Sequence, residues 1–191
     1  TVMLLGRGPV LLGLLAVADT VRPEARQTVE RLQAQRISVV MLSGDNRTTA
    51  EAIGRQLGIR EVIAGVRPAD KAATIRSLQQ AGQVVAMVGD GVNDAPAMAT
   101  ADLGIAIGSG ADVAKEAGDV LLLGNDLRAV ITAIGLSRAT MNKIRQNLFW
   151  AFIYNGLGVP VAALGWLNPM LAGAAMALSS LSVIVNSSLL R

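Results

Sequence analysis

Three polar side chains follow an apolar run near the middle of this 191-residue chain. The run, residues 84–88, carries no charge and predicts a buried parallel strand. Asp90, Asn93 and Asp94 come directly after it, beside glycines that let the backbone turn sharply. Because ligands bind at the carboxyl ends of the strands in open α/β sheets, we expect these three side chains to face a ligand.

The two carboxylates indicate phosphoryl transfer with a divalent cation. Alone, Asp90 or Asp94 would repel a phosphate by about 4 kcal/mol per unit-charge pair at ~4 Å and an effective dielectric of 20. Mg²⁺ reverses the sign of this interaction, since it binds one or two carboxylates together with a phosphate oxygen. Asn93 can donate to a phosphate oxygen without adding charge. The other interpretation is an acidic surface turn that caps a helix.

A second polar turn follows an earlier apolar run. Residues 37–42 predict a strand, and Ser43, Gly44 and Asp45 come directly after it. The hydroxyl of Ser43 is well placed to donate to a phosphate oxygen. Alternatively, Asp45 or Asn46 serves only to cap the helix that follows.

Strand and helix patterns alternate from residue 37 to residue 123. This alternation predicts right-handed βαβ crossovers and an α/β fold with one Rossmann-like parallel sheet. Two earlier apolar runs, residues 1–5 and 10–18, are separated by a Gly/Pro turn and predict a β-hairpin.

The composition excludes several classes of chemistry. The chain has no Cys and no His, which removes disulfides, Cys-type zinc sites, imidazole bases and thiol nucleophiles. A scattered net charge of +3 gives no basis for a nucleic-acid partner. The chain begins at Thr1 and shows no signal peptide, so we expect a piece of a longer protein.

Charged residues almost disappear from the last quarter of the chain. After Arg145 the only charged residue is Arg191. Two uncharged runs, 147–167 and 169–190, are long enough to cross a bilayer as helices and predict a two-helix transmembrane hairpin after a long helix over 125–147. The alternative is a buried hairpin in a soluble core.

Aromatic and basic residues flank the predicted hairpin. Trp150 and Trp166 lie near the ends of its first run, as interfacial anchors do. Arg138, Lys143 and Arg145 precede the hairpin and Arg191 follows it, so the positive-inside rule predicts that both of its ends lie in the cytoplasm.

Five side chains inside these uncharged runs could hold a metal ion: Tyr154, Asn155, Met176, Ser179 and Ser180. The last three lie at i, i+3 and i+4 and share one helix face. A thioether is a soft ligand that suits Cu(I) better than Mg²⁺. The alternative is that these small and polar residues serve helix packing.

Two segments of the chain, GDGVNDAPAM and ADLGIAIGSGADVAKEAGDVLLL, resemble the hinge segment of the P-type cation-transporting ATPases. Those pumps are members of the haloacid-dehalogenase-like superfamily, and the match is closest to their heavy-metal branch. YN in one helix and MxxSS in the next resemble the copper(I) subgroup. The resemblance covers essentially the whole chain but only the C-terminal part of such a pump.

The resemblance implies roles for individual residues. Asp90 would hold Mg²⁺, while Lys71, which follows a Pro-x-Asp segment, and Ser43, in an SGD segment similar to the pumps' TGD, would hold the phosphoryl group. Asn93 and Asp94 would complete the site. The pumps' nucleophile segment and nucleotide-binding domain are not in this sequence.

One further aspartate follows an apolar run, at position 19. The residues after Asp19 match neither form of the superfamily's nucleophile segment, and resemble instead the D-x-x-R-P segment that the pumps carry after their nucleotide-binding domain. We therefore expect no catalytic role for it.

The resemblance thus implies part of an ATP-driven pump that translocates copper(I) or silver. Residues 1–135 would belong to its phosphorylation domain, and 136–191 would form a stalk and the last two transmembrane helices. Expected cofactors are Mg²⁺ and ATP, and expected partners are membrane lipid, the upstream domains and a copper chaperone, in a bacterial plasma membrane. The alternatives are a soluble dehalogenase-like phosphatase and a catalytically dead fragment that partners a full pump.

Overall fold

The computed structural model of the chain describes residues 2–16, 20–90, 93–108, 118–165 and 168–189. The chain divides into two compact units, Thr1–Ala129 and Val130–Arg191. Asp19, Trp166 and Arg191, which entered the sequence predictions, lie outside the described residues.

The first unit alternates strands with helices. The described residues contain seven strands: β1 (Val2–Arg7), β2 (Val10–Ala16), β3 (Val40–Leu42), β4 (Glu61–Ile63), β5 (Ala86–Gly89), β6 (Leu103–Gly108) and β7 (Val120–Leu123). They also contain six helices, of which the last two form the second unit: α1 (Pro23–Ala34), α2 (Arg47–Leu57), α3 (Pro68–Gln80), α4 (Ala95–Thr100), α5 (Arg128–Ala163) and α6 (Pro169–Ser188).

Two separate parallel sheets form the α/β part. β3 pairs with β4, and β5, β6 and β7 pair in that order, which confirms the predicted parallel α/β fold. The prediction of one continuous sheet is wrong for the described residues, because β3 and β5 do not pair with each other. The predicted strand at 84–88 is also shorter than expected at its start, since β5 begins at Ala86 and Val84 is 90% exposed. In the described residues no further strand pairs with this edge of β5.

Each sheet packs on its own small core. Ile75 of α3 and Met98 of α4 are almost fully buried against Met87 and Ala106 of the three-stranded sheet. A second cluster joins α1 and α2 beside the two-stranded sheet, and its buried members are Ala25, Val29, Leu57 and Ile59. Apolar burial of this kind holds the strand ends in fixed positions, so the polar turns after them are supported by packed elements.

The start of α2 decides between two of the predicted roles. The side chain of Asn46 accepts a hydrogen bond from the Thr49 backbone N–H at 2.9 Å, as an N-cap residue does. Asp45 is therefore not the cap of this helix and remains available to the turn after β3.

The N-terminal hairpin is confirmed and is strongly apolar. β1 and β2 are antiparallel, with a register shift between Leu5 and Gly6. Most of its large side chains are at least half exposed: Leu4, Leu5, Val10, Leu11, Leu12, Leu14 and Leu15. In the described residues the two strands pair only with each other.

The second unit corrects the prediction of a transmembrane hairpin. Within the described residues, none of the helices combines the length and the apolar character that crossing a membrane requires. The prediction counted charged residues only, whereas amide and hydroxyl side chains recur along α5 and α6 and lower their hydropathy. The orientation with both termini in the cytoplasm loses its basis with the hairpin.

The helix boundaries in this unit also differ from those predicted. A helix over 125–147 was expected to end before a separate spanning helix. Instead α5 continues without interruption from Arg128 to Ala163, with Pro160 inside its last turn. Asn168 caps α6, because its side chain accepts from the Met170 backbone N–H at 2.9 Å.

Candidate functional site

Lys71 and Asp94 form an ion pair at the carboxyl end of the three-stranded sheet. Lys71 lies in the first turn of α3, and Asp94 is the N-cap residue of α4, five residues after β5 ends. Lys71 Nζ lies 2.6 Å from Asp94 Oδ1, and the two side chains are only 14% and 16% exposed. The sequence predicted that both residues lie at the carboxyl edge of the sheet, and the structure adds their direct contact across 23 positions of the chain.

Gly89 makes room for the Asp94 side chain. A Cβ built on Gly89 would lie 2.7 Å from both Cβ and Oδ2 of Asp94, which is closer than real contacts allow. The carboxylate is thus held between the end of β5 and Lys71. Sequence reasoning gave Gly89 only a turning role, and the signal that would have pointed further is its position between an apolar strand and an aspartate-rich turn.

Asp90 and Asn93 lie on the turn between β5 and α4. Both are exposed, and Asp90 is the first residue after β5. Gly91 and Val92 lie outside the described residues. The structure therefore places the three predicted polar residues on one turn, with Asp94 partly buried and the other two open to a ligand.

The turn after β3 is closed by its own hydrogen bonds. Ser43 Oγ donates to Asp45 Oδ2 at 3.0 Å, and the Asp45 backbone N–H donates to Ser43 Oγ at 3.1 Å. The backbone N–H of Gly65 donates to the Asp45 carbonyl at 2.8 Å, which pins the turn to the chain after β4. At Gly44 a Cβ would meet only the Val66 carbonyl, at 3.5 Å, so packing does not require glycine there.

In the described part of the chain, these hydrogen bonds join Ser43 and Asp45 to each other and to the segment after β4. The structure therefore shows two polar turns, one after β3 and one after β5, and the Lys71–Asp94 pair belongs to the second. The two strands that these turns follow, β3 and β5, line the same cavity. The cavity measures about 570 Å³ and lies between Val40 and Leu42 of β3 and Ala86 and Met87 of β5, over α3.

Carboxylates with a shifted pKa lie away from these turns. The Val85 backbone N–H donates to Asp102 Oδ2 at 2.8 Å, and this bond, with a second from Gln79, lowers the pKa of Asp102. Arg128 likewise lowers the pKa of Asp126. Asp102 thus ties the residue before β5 to the residue before β6, whereas Asp126 and Arg128 are neighbours at the start of α5. No cluster of three or more His, Cys, Asp or Glu side chains that could hold a metal occurs in the described residues.

The five predicted metal-path residues come together in the second unit. A groove of about 490 Å³ between α5 and α6 is lined by Tyr154, Asn155, Met176, Ser179 and Ser180, together with small residues such as Gly158 and Ala175. The two helices thus bring into one groove residues that are more than 20 positions apart.

Two of the groove side chains donate hydrogen bonds to carbonyls of their own helices. Asn155 Nδ2 donates to the Ala151 carbonyl at 3.0 Å, which leaves its amide oxygen as the atom able to bind a cation. Ser180 Oγ donates to the Met176 carbonyl at 3.1 Å and keeps its lone pairs. The groove thus offers one thioether and neutral oxygens, and none of the described residues that line it is charged.

The fold and the Lys–Asp site define a class of protein. A sequence model of the haloacid dehalogenase-like hydrolases matches residues 2–102, more than half of the chain. The chain therefore belongs to the haloacid dehalogenase-like hydrolase family.

Among its relatives are heavy-metal P-type ATPases, as the resemblance predicted. The chain is 54% identical over 187 residues to a copper-exporting P-type ATPase of Bacillus subtilis, covering 98% of the chain and 23% of that protein. It is 57% identical to the probable copper-transporting ATPase PacS of Synechococcus elongatus, covering 95% of the chain and 25% of that protein. The chain spans about a quarter of the length of these relatives.

The solved structures lead to the same class of pump. The crystal structure of a zinc-transporting PIB-type ATPase in its E2.Pi state matches with a TM-score of 0.88 and 41% identity, covering 100% of this chain and 31% of that one.

Proposed function

We propose that this chain is part of a copper-exporting P-type ATPase, in which it supplies the phosphate-binding turns and a groove for the transported ion. The observation that carries the proposal is the Lys71–Asp94 pair at the carboxyl end of a parallel sheet. The identity of 54–57% to copper-transporting relatives supports it.

Lys71 would bind the phosphoryl oxygens through its ammonium group, and these contacts would replace its ion pair with Asp94. Ser43 and Asn93 would donate to the same oxygens from the two polar turns. Asp94, released from Lys71, and Asp90 would then hold the cofactor Mg²⁺. Two carboxylates fit this ion, because Mg²⁺ usually takes one or two in addition to phosphate oxygens. Bound Mg²⁺ supplies positive charge that neutralises the phosphate as it is transferred.

The attacking carboxylate would come from another part of the pump. Within the described part of the chain, β3 and β5 each have one edge without a partner strand, and both strands line the same cavity of about 570 Å³. We infer that an extended segment from upstream in the pump fills this cavity as a strand, since open edges of parallel strands are templates for pairing. Its carboxyl end would then lie between Ser43 and Asp90, where the phosphoryl group is held.

We propose Cu(I) as the transported substrate, bound by Tyr154, Asn155, Met176, Ser179 and Ser180. A thioether with neutral oxygens suits a soft monovalent ion. Zinc, the substrate named for the solved relative, is usually held by His, Cys or carboxylate groups, and none of these lines the groove. Silver is also soft and monovalent, so it is tested beside copper.

The complete pump would work in the bacterial plasma membrane, with a copper chaperone as a further partner. A chimera tests the catalytic proposal: this chain replaces the matching 187 residues of the Bacillus subtilis relative in a copper-sensitive host. We expect growth on copper, loss of growth with Lys71→Met, and no loss with Arg67→Met, whose ion pair with Asp70 is exposed. Equal growth of both variants would contradict the role of Lys71.

The groove is tested in the same chimera. Met176→Leu keeps the volume but removes the sulfur, so we expect copper-stimulated ATP hydrolysis to fall. Met170→Leu is the matched control, because Met170 lies on the same helix, is 84% exposed and does not line the groove. Unchanged hydrolysis in Met176→Leu, with copper and with silver, would instead support the packing interpretation.

A further inference from the structure

A group of polar side chains joins α5 to α6 inside the second unit. Asn186 Oδ1 accepts from Lys143 Nζ at 2.8 Å, and Asn186 Nδ2 donates to Asn147 Oδ1 at 2.8 Å and to Gln146 Oε1 at 3.3 Å. Asn147 Nδ2 donates to Ser187 Oγ at 2.8 Å. We call these five residues the polar clasp.

The polar clasp lies on the same helix faces as the groove. Its α5 members are at i, i+3 and i+4, which places them on one side of the helix. Seven residues, about two helical turns, separate Asn147 from Tyr154. Seven residues also separate Ser179 from Asn186 on the antiparallel helix. The groove donors therefore lie about two helical turns from the polar clasp on both helices.

A smaller cavity shares one lining residue with each of the two features. It measures about 380 Å³ and is lined by Trp150, Tyr154, Ser182 and Asn186, among others. Tyr154 lines both this cavity and the groove. Asn186 of the polar clasp thus lines a cavity that borders the groove at Tyr154.

We propose that the polar clasp fixes the register of α5 against α6 and thereby sets the geometry of the copper groove. A slip of one residue would turn a side chain by about 100° and move it by about 1.5 Å along the axis. Such a slip would take Met176 away from Tyr154 and Asn155. The part of the inference that concerns copper rests on the proposed function.

Asn186 acts as a positioning residue and not as a ligand. Both its amide oxygen and its amide nitrogen are already used in hydrogen bonds to α5. The ammonium group of Lys143, 2.8 Å from that oxygen, would also repel a metal cation. Small apolar residues fill much of both helices and pack in several registers, whereas a network of specific donors and acceptors permits one.

Spin labels can measure the register directly, because the chain has no Cys of its own. Leu157→Cys on α5 and Leu178→Cys on α6 accept one label each, and both positions are exposed outside the groove. The label–label distance is measured in the full chain with Asn186 intact, with Asn186→Leu, and with Ser188→Ala. Ser188 is the matched control, since its hydroxyl donates to the Val185 carbonyl of its own helix.

We expect Asn186→Leu to broaden or shift the distance distribution with the helix content by circular dichroism unchanged, and Ser188→Ala to leave it as it was. Binding of Cu(I), measured by competition with a chromophoric chelator in chains without the labels, should weaken about tenfold or more in Asn186→Leu, as for other residues that orient metal ligands. If Asn186→Leu fails to fold, Asn186→Asp replaces it, because it keeps the acceptor for Lys143 and loses the donor to Asn147.

An unchanged distance distribution in the folded Asn186 variant would overturn the inference. A changed distribution together with full Cu(I) affinity would overturn its copper part. If the unsubstituted chain binds no Cu(I) but the register of α5 against α6 depends on Asn186, then the role of the polar clasp is supported and the proposed copper binding in the groove is contradicted.

Discussion

Replacing Lys71 by Met tests the central ion pair of the first unit. The substitution removes the ammonium group that lies 2.6 Å from Asp94 Oδ1 and leaves a carboxylate that is only 16% exposed. A buried charge without its partner is strongly destabilising, because water cannot replace the lost interaction. Arg67→Met serves as the reference, since it removes a cation from the N-cap position of the same helix.

The structure predicts different losses of stability for the two variants. Breaking a buried pair from one side costs 3–5 kcal/mol, and we take about 3 kcal/mol because both side chains keep some contact with solvent. The Arg67–Asp70 pair has side chains that are 83% and 50% exposed, so its loss should cost less than about 1 kcal/mol. The expected difference is therefore about 2 kcal/mol or more.

Hydrogen exchange read by mass spectrometry localises the effect. The Met98 backbone N–H, which bonds to the Asp94 carbonyl at 2.8 Å, reports on the start of α4. A loss of about 3 kcal/mol corresponds to roughly a hundredfold faster exchange, since 1.4 kcal/mol is tenfold. We expect this change in peptides that cover α3 and α4 of Lys71→Met, and at most a fewfold change in Arg67→Met.

A double variant separates the pair from its surroundings. In an Asp94→Asn background the carboxylate is gone, so Lys71→Met should cost much less than in the unsubstituted chain. The reasoning fails if the amide hydrogens of α3 and α4 exchange at the same rate in Lys71→Met and Arg67→Met. It also fails if Lys71→Met costs the same stability in both backgrounds, because the ion pair then contributes little.

Three further predictions concern packing, capping and pH. Gly54→Ala would place a Cβ 2.5 Å from Val62 Cγ2, so we expect denaturant unfolding to show a loss of about 1–3 kcal/mol. Asn46→Ala removes the N-cap of α2 and should lower stability by about 1 kcal/mol, with faster exchange in the first turn of α2. The pKa of Asp102 is lowered from 3.8 by a backbone hydrogen bond. Its stabilising contribution is therefore complete above pH 3.8 and is lost as the pH falls through the pKa of the folded state. We expect the free energy of unfolding of Asp102→Asn to depend less on pH in this range.

Matched variants accompany these three. Gly135→Ala, in α5, meets nothing within 4 Å and should stabilise its helix by up to about 1 kcal/mol, opposite in sign to Gly54→Ala. Asn46→Asp keeps a capping acceptor and should retain most of the stability. Parallel pH profiles for Asp102→Asn and the unsubstituted chain in acid would contradict the hydrogen-bond explanation.

Local signals predicted the elements of the first unit well. Asn46 followed by a helical pattern, and Pro68 at the start of α3, mark helix beginnings that the structure confirms. Apolar runs ending in Gly and Asp marked β3 and β5. These runs did not reveal that β3 and β5 belong to two separate sheets in the described residues, because strand pairing depends on segments far away along the sequence.

The sequence predicted which residues form the site better than it predicted the contacts between them. Asp90, Asn93 and Asp94 were recognised because they follow an apolar strand, but the partner of Asp94 depends on the packing of α3. Asn186 was missed, since a lone amide in an apolar run has no local signal of its partners on α5. The transmembrane prediction failed because a lack of charge was taken as apolar character.

The closed Lys71–Asp94 pair has a thermodynamic consequence for the two ligands proposed to meet there. An anion that takes Lys71 must separate it from Asp94, and a cation that takes Asp94 must do the same. The free energy of separation is incurred once, whichever ligand arrives first, so the second binds more tightly than it would alone. Linkage makes this cooperativity reciprocal. A site in which the resting charges neutralise each other thus favours both ligands together over either one by itself.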